Sequence, residues 1–341
     1  MAKKPTGDAP NSLTRRGLLA GSFGALGALT VLPRGARGDD RDAIDPHDPA
    51  AVAAASLDDE RVIYCLNTST IRGQELSLEE EIKVAIEAGY HAIEPWMNKI
   101  HAHRDGGGSL ADLRKQLEDA GVTVESAIGF ARWIVDDENE REQGFEQARR
   151  DLEALAELGA TRMAAPPSGA TQEAGLNLVR AAERYHRLIE LGKEFNIVPM
   201  AEVWGFSANL SRLGDAVHVA IESGHPDACV LPDVYHLFKG GSSDVGLALL
   251  RPDARPVLHM NDIPEGIPRD VISDRDRIWP GDGVGRVPQL LARLAATGRL
   301  PVLSLELFNE DYWKLDPLVA ATTGLKKMRE CVAAARELAG V

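Results

Sequence analysis

Residues 196–203 read NIVPMAEV, 228–234 read ACVLPDV, 255–261 read RPVLHMN and 300–308 read LPVLSLELF. Each run is short, apolar and of the length of a buried strand. Each also carries one polar residue at or just past its C-terminal end: Glu202, Asp233, His259 and Glu306. Separations of 31, 26 and 47 residues exclude a shared local motif. The four can meet only if parallel strands aim their C-terminal ends at one point. Three carboxylates and an imidazole gathered there are hard to neutralise without a cation, and one divalent metal ion is the natural candidate.

Working outward, four more runs precede these: VIYCL (62–66), HAIEPW (91–96), VTVESAI (122–128) and TRMAAP (161–166). Amphipathic segments such as LEEEIKVAIEAG, LADLRKQLEDAG and VPQLLARLAATG lie between the runs, several ending in glycine (Gly89, Gly121, Gly159, Gly224, Gly298). Strand alternating with helix eight times predicts an α/β fold, a closed (β/α)8 TIM barrel in a single domain. The competing fold, an open doubly wound sheet, expects a glycine-rich phosphate loop after the first strand. The residues there, NTSTIRGQELS, hold one glycine. GDGVG at 281–285 follows a proline loop and reads as a tight turn. The longest connection, 261–287, falls between the seventh and eighth strands, where barrel loops cover the site.

The chain has 38 basic and 52 acidic residues, a formal charge of −14, which disfavours nucleic acid and anionic membrane surfaces as partners. Three cysteines without CxxC spacing read as buried thiols. Before the barrel, SLTRRGLLAGSFGALGALTVLP places Arg15 and Arg16 ahead of a mildly apolar stretch, similar to a Tat export signal and weak for a stable membrane span. The expected organisation is a Tat-type signal peptide over 1–37, a linker over 38–58 and the barrel over 59–341, exported to an extracytoplasmic compartment.

The strand order and motifs resemble the sugar phosphate isomerase/epimerase group of the xylose isomerase-like barrel superfamily over about residues 60–335. The resemblance rests on the four run-end residues, on PDVYH, on GYHAIEPW, and on WPGDGVGRVPQLLARLAATGRLPVLSLELF, which is similar to the family's PGEG turn, helix and last strand. It implies that Glu202, Asp233, His259 and Glu306 bind one divalent metal ion, that His236 contacts substrate, and that Glu94 is the second-strand glutamate. Oxygen-rich ligation favours Mn²⁺, with Mg²⁺, Co²⁺ or Zn²⁺ compatible.

The implied chemistry is isomerisation or epimerisation of a sugar or sugar-derived ketone, by proton abstraction next to a carbonyl through a metal-bound enediolate. Glu202 and Glu306 would exchange the proton. Lys99 and Arg132 could orient substrate, and Trp204 could stack on a sugar ring. Two positions depart from the sugar 3-epimerases of the group. EVWGFSANL carries no acidic residue after the first ligand, and HMNDIPEGIPRD offers Asp262 where an arginine is typical. Other readings of the same scaffold are a keto-sugar or keto-inositol dehydratase and a non-catalytic exported sugar-binding protein. An apurinic endonuclease is disfavoured by the acidic charge and the single histidine of the seventh run. An oligomer is compatible with the sequence.

Overall fold

All eight apolar runs contain strands in the computed structural model, which describes residues 48–250, 256–298, 300 and 302–341. The strands are β1 (Tyr64–Asn67), β2 (Ala92–Glu94), β3 (Thr123–Val124), β4 (Arg162–Ala165), β5 (Val198–Glu202), β6 (Val230–Leu231), β7 (Val257–Met260) and β8 (Val302–Leu305). They are shorter than the runs that announced them. β6, for instance, stops before Pro232, which has no N–H to give a ladder.

The strands are parallel and lie in two arcs, β3-β2-β1-β8-β7 and β4-β5-β6. Sparse hydrogen bonds join the arcs. Ala164 N donates to Ala127 O at 2.9 Å, and His259 N donates to Pro232 O at 3.0 Å beside an Asp233–His259 bridge. With β8 paired to β1 (Tyr64 opposite Leu303), the ring closes in sequence order. The closed barrel is therefore the fold, and the open sheet is not.

Period-two alternation builds the interior. Cys65, Ala92, Met200, Leu231, Val257 and Val302 belong to one buried apolar cluster inside the barrel. Two residues further along the same chain segments come Asn67, Glu94, Glu202, Asp233, His259 and Ser304, and two beyond Ser304 comes Glu306. The polar layer is thus the next storey above an apolar plug, at the C-terminal end.

The helices are α1 (Pro49–Ser56), α2 (Leu78–Ala88), α3 (Met97–Asp105), α4 (Leu110–Asp119), α5 (Glu138–Leu158), α6 (Leu178–Lys193), α7 (Leu213–Glu222), α8 (Val234–Gly240), α9 (Val287–Ala295) and α10 (Pro317–Ala339). Local chemistry fixes their ends. Ser77 and Glu80 form a capping box on α2, and Gly89 ends that helix at φ +84°, a conformation only glycine adopts without strain. Asp137 caps α5, and Gly159 closes it at φ +87°.

Residues 1–37 of the expected signal and 38–47 of the expected linker lie outside the described residues. The rest of that linker is more ordered than its composition suggested. Asp48 caps α1 by accepting from Ala50 N at 2.9 Å, and Ala53 and Leu57 are buried in the core. An alanine-rich helix with two inward apolar residues packs within the segment expected to be a linker or a frayed helix. Cys65, Cys229 and Cys331 are buried and form no disulfide. Among the described residues, no helix is long and apolar enough to cross a membrane.

Candidate metal and substrate centre

His259 is the hub of the polar layer. Its Nε2 lies 3.1 Å from Glu94 Oε2. That oxygen also accepts from Ser304 Oγ at 2.7 Å and from Asn67 Nδ2 at 2.9 Å. A carboxylate behind Nε2 places the ring proton there and turns the Nδ1 lone pair to the opposite side. On that side Nδ1 faces Glu306 Oε2 at 3.1 Å, Asp233 Oδ2 at 3.7 Å and Glu202 Oε1 at 3.8 Å. One ligand atom from each of Asp233, His259 and Glu306 lies within 4.8 Å of the others. All four residues are buried.

The electrostatics show how poorly this cluster is compensated. Burial pushes Glu202 up to about 8, with Glu306 and Asp233 adding to the rise against His259. Burial likewise lifts Asp233 to about 6 although Arg277 opposes it. Burial would lower His259, but the Glu306 and Glu94 carboxylates hold it well above the usual imidazole value. Burial would also raise Glu306, yet His259 and Arg277 keep it well below the carboxylate range. Glu202 Oε2, Glu94 Oε1 and His259 Nδ1 are buried with no hydrogen-bond partner. Orphaned carboxylate oxygens around an imidazole nitrogen whose proton a metal ion would displace fit a divalent cation, which Asp233, His259 and Glu306 could hold with Glu202 beside them.

The other expected site residues divide. His236 is buried on the first turn of α8, its Nε2 accepting from Arg277 Nη2 at 3.3 Å. Burial and then Arg277 depress it well below the usual value, so its imidazole is neutral. Trp204 stands at the rim, beside Phe130 and Phe206 (ring centroids 6.1 and 5.1 Å). Glu94, a further substrate-contact candidate on the second strand, has Oε2 committed to holding His259 and Oε1 buried without a hydrogen-bond partner.

Lys99 and Arg132 have described partners outside the cluster. Arg132 pairs with Glu140 at 2.8 Å. Lys99 donates to Leu76 O and lies 3.7 Å from buried Glu81 Oε1. Burial pushes Glu81 from its ordinary 4.5 up to about 7, with Lys99 opposing. A raised carboxyl keeps its proton in the folded state after the unfolded chain has lost it. Stability therefore falls as pH rises through about 4.5 to 7, by roughly 3 kcal/mol, and levels off above. Glu81→Gln is expected to flatten that fall, read by urea unfolding at pH 5.5 and pH 8, about one unit outside the folded-state midpoint. An unchanged pH slope would overturn the assignment.

Three further residues join the four run-end residues in this layer. Arg277, buried, donates from Nη1 to Glu306 Oε2 at 2.7 Å and to Asp233 Oδ2 at 3.1 Å. Its guanidinium lies over the Tyr235 and Phe308 rings at 4.4 and 5.0 Å. Asn67, at the end of β1, accepts from Trp96 Nε1 at 3.1 Å and donates to Glu306 Oε1 at 3.2 Å. It lies two residues past Cys65, the signal that could have found it. Asn261 donates to Asp233 Oδ2 at 3.0 Å and accepts from Tyr235 N at 2.8 Å.

Asp262, where an arginine was expected, takes Gly281, Gly283 and Gly285 N–H groups at 2.9, 3.1 and 2.7 Å. It builds the 281–285 turn that follows Arg277. A Cβ at Gly283 would stand 2.1 Å from Ile263 O, so the turn admits only glycine there.

Fold and centre together define a class: an eight-stranded α/β barrel whose strand ends converge on buried carboxylates and one imidazole. The chain belongs to the xylose isomerase-like TIM barrel family, whose model matches residues 82–331. It is 22% identical to the inosose isomerase of Bacillus velezensis over 74% of this chain and 90% of that one. It is 28% identical to the inosose isomerase of Halalkalibacterium halodurans over 40% of this chain, spanning about half (48%) of that relative. Among solved structures, an IolI protein with a bound zinc atom superposes with a TM-score of 0.71 at 20% identity, over 80% of this chain and 98% of that one.

His259→Ala is expected to weaken Mn²⁺ binding by more than the roughly 10–100-fold typical of losing an outer hydrogen-bond partner, and Glu94→Gln to fall within that span. Calorimetric titration of both variants measures this. Wild-type affinity in His259→Ala would remove it from the ligand set.

Proposed function

We propose that this protein is a divalent-metal-dependent isomerase or epimerase of a sugar or keto-sugar, exchanging a proton on the carbon next to the carbonyl. The observation that carries the reading is the placement of Glu202 and Glu306 about one imidazole face, 3.8 and 3.1 Å from His259 Nδ1. Their bonding differs. Both oxygens of Glu306 are engaged, by Asn67 and Arg277, whereas Glu202 Oε2 is buried and unpartnered. Glu202 Oε2 is accordingly the atom that takes the carbon-bound proton and gives it back to the carbon framework, while Glu306, kept ionised by His259 and Arg277, would serve as a ligand rather than as the acid.

The chemistry a cation supplies when bound here is polarisation of the carbonyl and compensation of the negative charge that develops on it. Neutral His236 and fixed Arg277 offer hydrogen bonds to hydroxyls of the bound polyol. Trp204 covers a ring face and excludes water. The similarity to inosose isomerases supports a keto-inositol as the first trial substrate. We also propose export through the twin-arginine route, on the Arg15–Arg16 stretch alone; a folded-reporter fusion of residues 1–47 retained in the cytoplasm would remove that part.

The deciding experiment is incubation of a keto-inositol in D₂O with Mn²⁺. Deuterium entering next to the carbonyl, abolished by a chelator, is the expected result. Loss of water to an unsaturated ketone would move the protein to the dehydratases. Binding without exchange would make it a carbohydrate-binding protein.

A further inference from the structure

Phe130 and Phe206 are the aromatic members of the exposed large hydrophobics among the described residues, at 39% and 46% exposure. Both lie against Trp204, two residues beyond Glu202. The platform is anchored at each end. Phe130 packs 5.3 Å from Trp96, whose indole N–H bonds Asn67, and Phe206 packs 5.6 Å from the His236 ring. The row of rings therefore begins and ends on residues of the polar centre.

Its backbone is fixed. A Cβ on Gly205 would stand 2.3 Å from His236 O, so only glycine lets the Trp204–Phe206 segment lie against α8. Buried Asn209 ties the same loop down, donating to Ala170 O and Glu173 O at 2.6 and 2.7 Å and accepting from Leu176 N at 3.1 Å. Trp204 N donates to Leu210 O at 3.1 Å. Phe206 is thus displayed to solvent on an immobilised loop, and Phe130, on the segment that follows β3, is exposed beside it. An exposed apolar patch of that kind marks a binding surface.

Size selects the occupant. A full aromatic side chain buries about 150–250 Å², so two rings exposed by less than half offer roughly 200 Å² in all. A standard protein interface takes about 800 Å² from each partner. The patch is too small for a second copy and of the scale of one six-membered ring. Its continuity with the polar centre requires that ring to be joined to the reacting one.

Resting on the function proposed above, we infer that Phe130, Trp204 and Phe206 form a subsite for a second ring, so that the substrate class is a keto-glycoside rather than a free monosaccharide. The ring stacks by its flat apolar face, a property shared by a pyranose and an aromatic aglycone.

The test is equilibrium binding by tryptophan fluorescence, with Mn²⁺ present, of methyl β-D-glucoside, cellobiose and phenyl β-D-glucoside. At least one ring-bearing glycoside should bind about tenfold or more tightly than the methyl glycoside, the scale of one stacked ring pair. Which one does so tells sugar from aglycone. Phe130→Leu with Phe206→Leu, which keeps apolar bulk and loses the planes, should shrink the difference to about twofold. Equal affinities in the wild type, no measurable binding of either ring-bearing glycoside, or an undiminished preference in the double variant would overturn the subsite. So would a concentration-dependent dimer that the double variant dissolves. Absence of deuterium exchange into both keto-inositol and a keto-glycoside, with the ring preference intact, would strike the proposed chemistry alone.

Discussion

Glu202→Gln is expected to lower turnover by about a thousandfold, in the middle of the 10²–10⁴ that a positioned general base contributes. The substitution keeps the side chain's shape and removes its capacity to accept a proton. Glu202 Oε2 has no hydrogen-bond partner, so no native bond from that atom is lost. Burial already pushes this carboxyl up to about 8, so a neutral side chain is tolerated by its surroundings. The folded state should therefore be as stable as the wild type or more so. Asp233, His259 and Glu306 still stand within 4.8 Å of one another, so substantial metal should remain. Deuterium exchange and metal content measured on one preparation separate these effects. Near-normal exchange in Glu202→Gln would assign the proton to another group.

Arg277→Met is expected to cost about 3–5 kcal/mol in metal-free buffer, the range for removing one partner of a buried ion pair. Methionine keeps the length and the contacts with Tyr235 and Phe308. It leaves Asp233 Oδ2 and Glu306 Oε2 without the guanidinium that now bonds both. In a chain of this size the midpoint should fall by about 5–8 °C. Mn²⁺ should recover most of that loss, since a cation at about a thousand times its Kd contributes about 4 kcal/mol and draws on the same oxygens. The variant should gain more from the metal than the wild type does. Thermal unfolding with and without chelator measures both effects. A midpoint within about 2 °C of wild type in chelator, or equal metal stabilisation of the two proteins, would show that Arg277 is not the principal counter-charge.

Much of this arrangement was legible in the sequence because a barrel strand carries both its address and its direction. A run such as PVLHM announces a strand by composition, and alternation then fixes that His259 shares the face of Val257. The four converging residues were readable for that reason. Arg277 was not. It sits in DRDRIWPG, a loop with no period, and nothing local distinguishes it from Arg275, whose described partner is Glu310 at 3.0 Å. Its position depends on a turn nucleated by Asp262, 15 residues earlier, and on Asn309 Nδ2 donating to its carbonyl at 3.0 Å. Lys99 and Arg132 each follow a strand, as site residues do, and each has a described carboxylate partner outside the cluster, Glu81 and Glu140. The packing of the helix within the expected linker was hidden because alanine-rich composition says little about what lies beneath it.

The barrel wall is laid down as two panels, and the centre draws on both. Glu202 and Asp233 belong to the panel of β4, β5 and β6, while His259 and Glu306 belong to the other. An ion gripped by all four would rivet one panel to the other at the joint where backbone bonding is thinnest. Chelation should then register as a slackening of the wall as well as a loss of reactivity, with the amides of His259 and Ala164, the stitches across the two joints, exchanging with solvent ahead of their neighbours.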